Sequence, residues 1–250
     1  MKVLTLVAAT LGFALSSASA AEPVKRPKGV VELFTSQGCN SCPPADEYLS
    51  QLALEGDVVA LSYHVDYWDY LGWRDTLANA DNTQRQQQYN RAFGTRSVYT
   101  PQAIVNGRQE VNGAKRDKVD GAINRMAGTN EGMIVDVSVS YSGDSLVIET
   151  GEAENWKGDA HVVLVYFDRA TQVKIERGKN TGRSFTYLNS VNGFHSAGKW
   201  HGKATRLELP MSEISRKAAG GCAVLLQSMK EGGLPGPVIG AAIVQRQESW

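Results

Sequence analysis

Two cysteines separated by two residues, Cys39 and Cys42, are the clearest candidates for chemistry in this sequence. A thiol at the start of a helix lies near unpaired backbone N–H groups and the positive end of the helix dipole, which favour its thiolate. Cys39 is therefore predicted to be a nucleophile, and Cys42, about one helical turn later, the thiol that resolves a mixed disulfide. The same pair could instead form a structural disulfide or bind a soft metal ion.

Cys222 is the remaining cysteine, and it lies in the apolar segment 221–226. Three cysteines are too few for a disulfide-rich scaffold or for a structural zinc site, which usually takes four ligands. We expect Cys222 to be a buried and unreactive thiol. Any chemistry of the cysteines therefore depends on the close pair.

The first 20 residues have the composition of a secretory signal peptide. Lys2 is followed by the apolar segment Val3 to Leu15 and by the small residues Ala18 to Ala20. The apolar segment is shorter than the ~20 residues that a membrane-spanning helix needs. We therefore expect an exported protein, periplasmic or secreted, without a membrane anchor after cleavage of the signal peptide. In such a compartment, a close cysteine pair favours redox chemistry.

The charge balance argues against a polyanionic partner. Lys and Arg together number 26, and so do Asp and Glu, so no net charge draws the chain to nucleic acid or to an anionic membrane. A chain of 250 residues with 42% hydrophobic residues can form one large domain or two modest ones. No cofactor is predicted, the expected partners are protein thiols or disulfides, and the oligomeric state stays open.

The residues around the cysteine pair alternate between strand and helix patterns. The apolar run Gly29 to Ser36 is typical of a buried strand, Asp46 to Leu54 has apolar residues at helical spacing, and Val58 to Val65 is a second apolar run. A strand, a helix and a strand in this order form a βαβ unit, whose strands are parallel. The cysteines would then lie where the first strand meets its helix.

The following segments predict two more helices and a hairpin. Asn79 to Phe93 is polar but compatible with a helix, and its glutamine-rich part, residues 84–88, is predicted to be a solvated face. Ser97 to Val105 is predicted to be a third strand. Asn106-Gly107 is a strong signal for a type I′ turn before a short antiparallel strand. Lys115 to Ala127 has the pattern of an amphipathic helix.

From Met133 onward, the pattern changes to short strands joined by turns. Val135 to Tyr141 and Leu146 to Thr150 alternate between apolar and polar residues, as a hairpin with one solvent-facing side does. Further short strand candidates follow, and only Met211 to Ala219 has a helical pattern. Ile175 to Gly182 is predicted to be an exposed polar loop, with docking to the first domain as the alternative. Many short strands favour an antiparallel β-sandwich.

The position of the cysteines among these elements resembles the arrangement in thioredoxins, and Thr100-Pro101 at the third strand extends the resemblance. The resemblance implies a cis peptide bond before Pro101 and places Thr100 and Pro101 beside the dithiol. It also implies a buried acid beneath the cysteines. Glu32 in the first strand resembles that acid and would accept a proton from Cys42, although a glutamate at the surface is an equal alternative.

Longer segments resemble a narrower family, the secreted proteins grouped as domain of unknown function 1223. The resemblance covers most of the chain after the signal peptide and implies an exported protein with a thioredoxin-like fold, but it implies no substrate. The segments that carry it are Glu32 to Cys39, Cys42 to Asp46, His64 to Asp69, Leu71 to Trp73 and Tyr99 to Gln102.

His64 and Asp66 end the second strand, at the edge of the sheet where the thiols are predicted to lie. They could supply acid–base help or metal ligands, but a structural histidine with its polar atoms satisfied is the better interpretation. Some exported thioredoxin-like proteins bind copper through two cysteines and a distant histidine, and the resemblance to them implies Cys39, Cys42 and His64 as the ligands. Soft thiolates suit Cu(I).

The sequence therefore predicts a signal peptide over residues 1–20, an α/β thioredoxin-like domain over 21–130 and a mainly antiparallel β-sandwich-like domain over 131–250. The predicted function is thiol–disulfide exchange on protein partners. The predicted site consists of Cys39, Cys42, Thr100, Pro101 and Glu32. A copper-binding metallochaperone and a non-catalytic protein with a structural disulfide are the alternatives.

Overall fold

The structure is a computed structural model that describes residues 26–214 and 220–246. The predicted signal peptide, residues 1–20, lies outside the described residues. Among the described residues, no helix is long and apolar enough to cross a membrane.

Helices and strands alternate in the first part of the described chain. Its elements are, in order, β1 (Gly29–Thr35), α1 (Pro43–Glu55), β2 (Val58–His64), α2 (Ala80–Phe93), β3 (Gln102–Val105), β4 (Gln109–Asn112) and α3 (Arg116–Met126).

Strands dominate the second part of the described chain. Its elements are β5 (Val137–Ser142), β6 (Ser145–Thr150), β7 (Ala160–Lys174), β8 (Ser184–Trp200), β9 (Thr205–Pro210), the single turn α4 (Met211–Ile214), β10 (Gly221–Met229) and β11 (Pro235–Gln245). The predicted helix over 211–219 is described only in its first turn, because residues 215–219 lie outside the described residues.

The described strands form two sheets. The larger sheet has eight strands in the order β11-β10-β7-β8-β2-β1-β3-β4, and the smaller has three in the order β5-β6-β9. β1 pairs in parallel with β2 over its whole length, Gly29–Thr35 against Val58–His64. β2 also pairs in parallel with β8, where Ser62 lies opposite Ser190. The other strand pairs in the described sheets are antiparallel.

The predicted fold class, an α/β thioredoxin-like domain followed by a β-sandwich-like domain, is wrong. The described chain is mostly β-sheet, and the eight-stranded sheet takes four strands from each half of the chain. The physical reason lies in β2, which is buried at every residue. A buried strand needs hydrogen-bond partners on both sides, and β8 from the second half lies on the side that β1 leaves open. The predicted division of the chain near residue 130 stays a prediction.

The βαβ unit around the cysteines is confirmed. The parallel strands β1 and β2 are separated by α1, which ends at Gly56. Gly56 has a φ of 70°, a left-handed conformation that glycine adopts without strain. α1 begins at Pro43, three residues before the predicted helical segment Asp46 to Leu54. Prolines are tolerated there, because the first amides of a helix have no partner within it.

The predicted hairpin after the third strand is also present. Asn106 and Gly107 have φ values of 51° and 61°, as a type I′ turn requires. β3 begins at Gln102 and is shorter than predicted. The residue before it is Pro101, which has no N–H to donate to a neighbouring strand.

Three apolar clusters join the layers of the structure. α1 and α3 pack on one face of β1, where Leu33 and Leu49 are buried. α2 packs on the other face, where Phe34 and Tyr89 are buried, as the alternation of side chains along a strand requires. The three-stranded sheet packs on β7 and β10 around Trp200. The cysteine pair lies at the β1–α1 junction, where the loop that joins β7 to β8 contacts the carbonyls of Gln37 and Cys39.

Candidate functional site

Cys39 and Cys42 form a disulfide at the start of α1. Their Cα atoms are 5.4 Å apart, and Cys42 is the residue that directly precedes the helix. The backbone N–H groups of Ala45 and Asp46 donate to the carbonyl of Cys42. The structure places the pair between the first strand and its helix, as predicted.

The two residues between the cysteines are exposed, but the cysteines are not. Asn40 and Ser41 face solvent. Cys39 is 1% exposed and Cys42 0%. A partner that reacts with the disulfide therefore has to displace whatever covers the sulfur atoms.

The loop between β7 and β8, residues 175–183, covers the segment that bears the disulfide. The Nδ2 of Asn180, a residue only 3% exposed, donates to the carbonyl of Gln37 at 2.9 Å and to that of Cys39 at 3.0 Å. Gly178 in the same loop lies against Trp73. The loop is mostly exposed, as predicted, and it also docks on the first part of the chain through Asn180.

Replacing Asn180 by alanine, which removes two hydrogen bonds, is expected to accelerate reduction of the disulfide by dithiothreitol roughly thirtyfold. Each lost hydrogen bond contributes about 1 kcal/mol, and 1.4 kcal/mol corresponds to a factor of ten in the population of an open state. The rate is measured by the release of thiols under an excess of reductant. The control is Asn192→Ala, which removes an exposed asparagine of β8 that donates to Asp168. Equal rates for both variants and the unchanged protein would contradict this role of Asn180.

Thr100 and Pro101 lie near the disulfide-bearing segment, and the peptide bond between them is cis, as predicted. The indole Nε1 of Trp68 donates to the Thr100 hydroxyl at 2.8 Å. Trp68 also packs against Gly38. A side chain at this position would place its Cβ only 3.2 Å from the Cβ of Trp68, which is a tight contact. Trp68 therefore connects Thr100 to the residue before Cys39.

Asp46 is a buried acid on the first part of α1, and sequence reasoning did not assign it a role. The Thr35 hydroxyl donates to its Oδ1 at 2.6 Å, while its Oδ2 has no hydrogen-bond partner among the described residues. Burial raises the pKa of Asp46 to about 7, although the charge of His64 and the hydrogen bond from Thr35 oppose this rise. Residues four apart share a helix face, so Asp46 lies on the side of α1 that bears Cys42.

His64 and Asp75 form a buried pair behind the disulfide-bearing segment. The Nδ1 of His64 lies 2.8 Å from the Oδ2 of Asp75, and both side chains are fully buried. The same Oδ2 accepts the backbone N–H of Gln37 at 2.7 Å. Burial disfavours the charged forms of both His64 and Asp75. In each residue, the charge of the other residue and the hydrogen bond between them outweigh this effect of burial. The pKa of His64 is therefore raised and that of Asp75 lowered.

Glu32 lies on the face of β1 that points toward α2, not toward α1. Its carboxylate accepts hydrogen bonds from Nε of Arg85 and from the hydroxyl of Tyr89. Neighbouring residues of a strand point to opposite faces, and Leu33 packs against α1. The structure therefore pairs Glu32 with Arg85 and does not bring it together with the cysteines. The buried acid on the cysteine side is Asp46.

Comparison with known proteins identifies the family. Residues 30–227 match the family model described as a protein of unknown function (DUF1223). The chain belongs to the DUF1223 family. No curated protein matches this DUF1223 protein.

Two solved structures resemble this DUF1223 protein. Protein AGR_C_4864 from Agrobacterium tumefaciens is 44% identical, with a TM-score of 0.82 over 90% of this chain and 97% of that one. HBP35 of Porphyromonas gingivalis is 11% identical, with a TM-score of 0.61 over 90% of this chain and 77% of that one. At this low identity, the likeness to HBP35 concerns the fold alone.

The structure of this DUF1223 protein does not assemble the metal site of the alternative prediction. Within residues 26–214 and 220–246, no group of three or more His, Cys, Asp or Glu side chains could hold a metal ion. His64 is paired with Asp75, and Cys39 is bonded to Cys42. Cys222 is a free, fully buried cysteine, and burial raises the pKa of its thiol to about 12.

Proposed function

We propose that this DUF1223 protein exchanges thiols and disulfides with protein partners through Cys39 and Cys42. The observation that carries the proposal is the disulfide at the start of α1. The buried acid Asp46 supports it, because a spacing of four residues places Asp46 on the side of the helix that follows Cys42. A nucleophile and a proton acceptor are the two groups that the exchange needs.

Oxidation of the protein by a partner begins with the Cys39 thiolate. It attacks a disulfide of the partner, so that a bond forms to one partner sulfur and the other leaves as a thiolate. Cys42 then gives its proton to the Asp46 carboxylate and attacks the Sγ of Cys39. The Cys39–Cys42 disulfide forms, the second partner sulfur leaves as a thiolate, and two electrons have passed to the partner. The same steps in reverse oxidise a partner dithiol, with protonated Asp46 supplying the proton to Cys42.

Two local features favour these steps. Cys39 and Cys42 precede the first turn of α1, whose unpaired N–H groups and dipole stabilise a thiolate. The pKa of Asp46, about 7, lets the carboxyl accept and release a proton near neutral pH. Exposed carboxyl groups, with a pKa near 4, are poor acceptors for a thiol proton.

The proposed setting is outside the cytoplasm, in the periplasm or the secreted fraction. The signal-peptide composition of residues 1–20 supports it, since disulfide exchange on folding or damaged proteins belongs to oxidising compartments. Protein thiols and disulfides are the proposed partners.

The test is to trap a partner with the Cys42→Ser variant. Without Cys42, a mixed disulfide on Cys39 cannot be resolved, so partner complexes should accumulate in extracts of the exported proteins. They are detected as bands on non-reducing gels that disappear on reduction. The matched control carries both Cys39→Ser and Cys42→Ser and retains Cys222. Complexes that form equally with the control, or none with either variant, would count against exchange at this pair.

A purely structural disulfide is the second candidate, and the burial of both sulfur-bearing residues favours it. In that case, reduction would lower the melting temperature without any exchange with added dithiols or disulfides. Melting curves of the reduced and oxidised protein, together with the trapping experiment, separate the two functions.

A further inference from the structure

We propose that the loop between β7 and β8, residues 175–183, selects partner proteins that carry acidic residues next to the reacting cysteine. Arg183, at the end of this loop, binds one of their carboxylates in a groove beside the disulfide. This inference deepens the proposed function and rests on it, because it names the chemistry of the partner that reaches Cys39.

A groove of about 420 Å³ lies between the start of α1 and the start of β8. On the α1 side it is lined by Pro43 and by Asn40, an exposed residue between the two cysteines. On the β8 side it is lined by Arg183 and Phe185. The groove therefore begins at the disulfide-bearing segment, and its volume suits side chains of an extended partner segment.

The loop is rich in cations, although the whole chain has equal numbers of basic and acidic residues. Arg177, Lys179 and Arg183 are exposed in it, and Glu176 is its one acid. Among the described residues, no acidic side chain forms an ion pair with any of these three cations. Their positive field therefore acts on a partner, and it accelerates the approach of an anionic one.

Arg183 is oriented by two contacts. Its guanidinium carbon lies 4.7 Å from the centroid of the Phe185 ring, and its Nη1 donates to the Oδ1 of Asn180 at 3.4 Å. The Nδ2 of the same asparagine donates to the carbonyl of Cys39 at 3.0 Å. One side chain thus connects the arginine to the backbone of the nucleophilic cysteine. The remaining N–H groups of Arg183 can donate to a carboxylate.

The backbone of the loop is held in shape by its own hydrogen bonds. The N–H of Ile175 donates to the carbonyl of Arg183 at 2.9 Å, and the N–H of Gly182 donates to the carbonyl of Ile175 at 2.8 Å. The hydroxyl of Thr181 donates to the carbonyl of Gly178 at 2.6 Å. A binding surface that is formed in advance loses less conformational entropy when a partner binds.

Two carboxyl groups also line the groove, and neither strongly opposes an anionic occupant. Glu47 is exposed to solvent, and its Oε1 lies 3.8 Å from the Nη2 of Arg116 on α3. Asp46 is buried, which raises its pKa to about 7, so it is partly neutral at neutral pH. Arg183 is therefore the main charge that a carboxylate meets in the groove.

The test compares two peptides with two cysteines each, flanked by four glutamates in one and by four glutamines in the other. One peptide thiolate attacks the Sγ of Cys39, and Cys42 leaves as a thiolate. The second peptide thiol then displaces Cys39, so that the peptide becomes a disulfide and the protein gains two electrons and two protons. Each rate is divided by the rate at which the same peptide reduces hydroxyethyl disulfide, which is uncharged.

At low salt, the normalised rate should be about tenfold higher for the glutamate peptide, because the cations of the loop attract it. This preference should nearly vanish at about 1 M salt, where exposed charges are screened. Equal normalised rates at low salt would overturn the inference.

The variant Arg183→Gln should lower the preference for the glutamate peptide about threefold. The control is Arg91→Gln, at an exposed arginine in the last turn of α2 on the other face of β1, and it should leave the preference unchanged. Both variants lose one positive charge, so an equal loss of preference in both would assign it to net charge and overturn the inference. A looser loop in Arg183→Gln accelerates both peptides and leaves their ratio unchanged.

Binding of serine analogues of the two peptides separates this inference from the proposed exchange. The analogues cannot react, and fluorescence anisotropy measures their dissociation constants for the unchanged, oxidised protein. If neither cysteine peptide reduces the disulfide, but the glutamate analogue binds about tenfold more tightly and Arg183→Gln weakens its binding, the inference is supported and only the proposed exchange is overturned. Equal binding of both analogues would overturn the inference, whether or not the disulfide reacts.

Discussion

Replacing Asp46 by asparagine is expected to stabilise the protein at pH 8 by up to about 4 kcal/mol. The pKa of Asp46 rises from 3.8 to about 7 on folding, because the carboxyl is buried. Each pKa unit is worth 1.36 kcal/mol, so holding the charged form in the folded state costs about 4 kcal/mol above pH 7. Asparagine keeps an oxygen that can accept the hydrogen bond from Thr35, and it carries no charge.

The sign of the pH dependence follows from the direction of the shift. A carboxyl with a raised pKa adds stability below its unfolded pKa of 3.8, and this stability is lost as the pH rises to about 7. Urea unfolding at pH 5 and pH 8 should therefore show a gain for Asp46→Asn that is larger at pH 8 by about 2–3 kcal/mol. Glu47→Gln, at the exposed neighbour on α1, is the control. An equal effect of Asp46→Asn at both pH values would contradict the buried, protonated acid.

Replacing Arg85 by methionine is expected to destabilise the protein by about 3–5 kcal/mol, since it leaves the Glu32 carboxylate buried without its counter-charge. Arg85 is 4% exposed, and its guanidinium also donates to Gln227 at 3.1 Å. The guanidinium carbon lies 5.3 to 5.6 Å from the rings of Phe194 and Tyr63, so cation–π contacts are lost as well.

Two controls distinguish this loss of unfolding free energy from the effect of removing a charge at the surface. Arg206→Met removes an exposed arginine that is paired with Glu149 and Glu208, and it should change the unfolding free energy little. The double variant Glu32→Leu with Arg85→Met removes both buried charges and should recover at least half of the loss. The free energy of unfolding of all three variants is measured by chemical denaturation. If Arg85→Met and Arg206→Met have equal effects, the buried pair is not what stabilises this core.

The sequence predicted the elements next to the cysteines because their signals are local. β1 and β2 are continuous apolar runs, the α1 pattern has helical spacing, and Asn106-Gly107 specifies its own turn. Each of these features depends on residues a few positions apart. Cys39 and Cys42 could therefore be placed at the β1–α1 junction from the sequence alone.

The sheet could not be predicted in the same way, because β8 joins it through contacts between distant residues. Ser62 pairs with Ser190, and neither residue carries a pattern that indicates the pairing. Asn189 has a φ of 49°, and its side chain donates to the carbonyl of Ala60, which fixes β8 beside β2. The alternation of apolar and polar residues reports only local structure, and it therefore predicted a separate β-sandwich.

The buried polar residues of the site were missed for a related reason. Asp75 and Asn180 have no local pattern that distinguishes them from surface residues, and only tertiary contacts bury them. The glutamine-rich part of α2 was predicted to be a solvated face, yet Arg85 and Gln86 are buried there. A charged residue in a polar helix gives no sign that its counter-charge, Glu32, lies in a distant strand. The spacing of four residues between Cys42 and Asp46 was the one available signal.

The pairing of β2 with β8 has a consequence for the order of events during synthesis. When the ribosome has completed β2, the strand that covers its open edge has yet to be made, and about half of the chain separates the two. Until β8 emerges, an apolar strand with free N–H and C=O groups is available to other chains, which is the situation that leads to aggregation. A nascent chain of this kind benefits from being kept unfolded until its C-terminal strands are present.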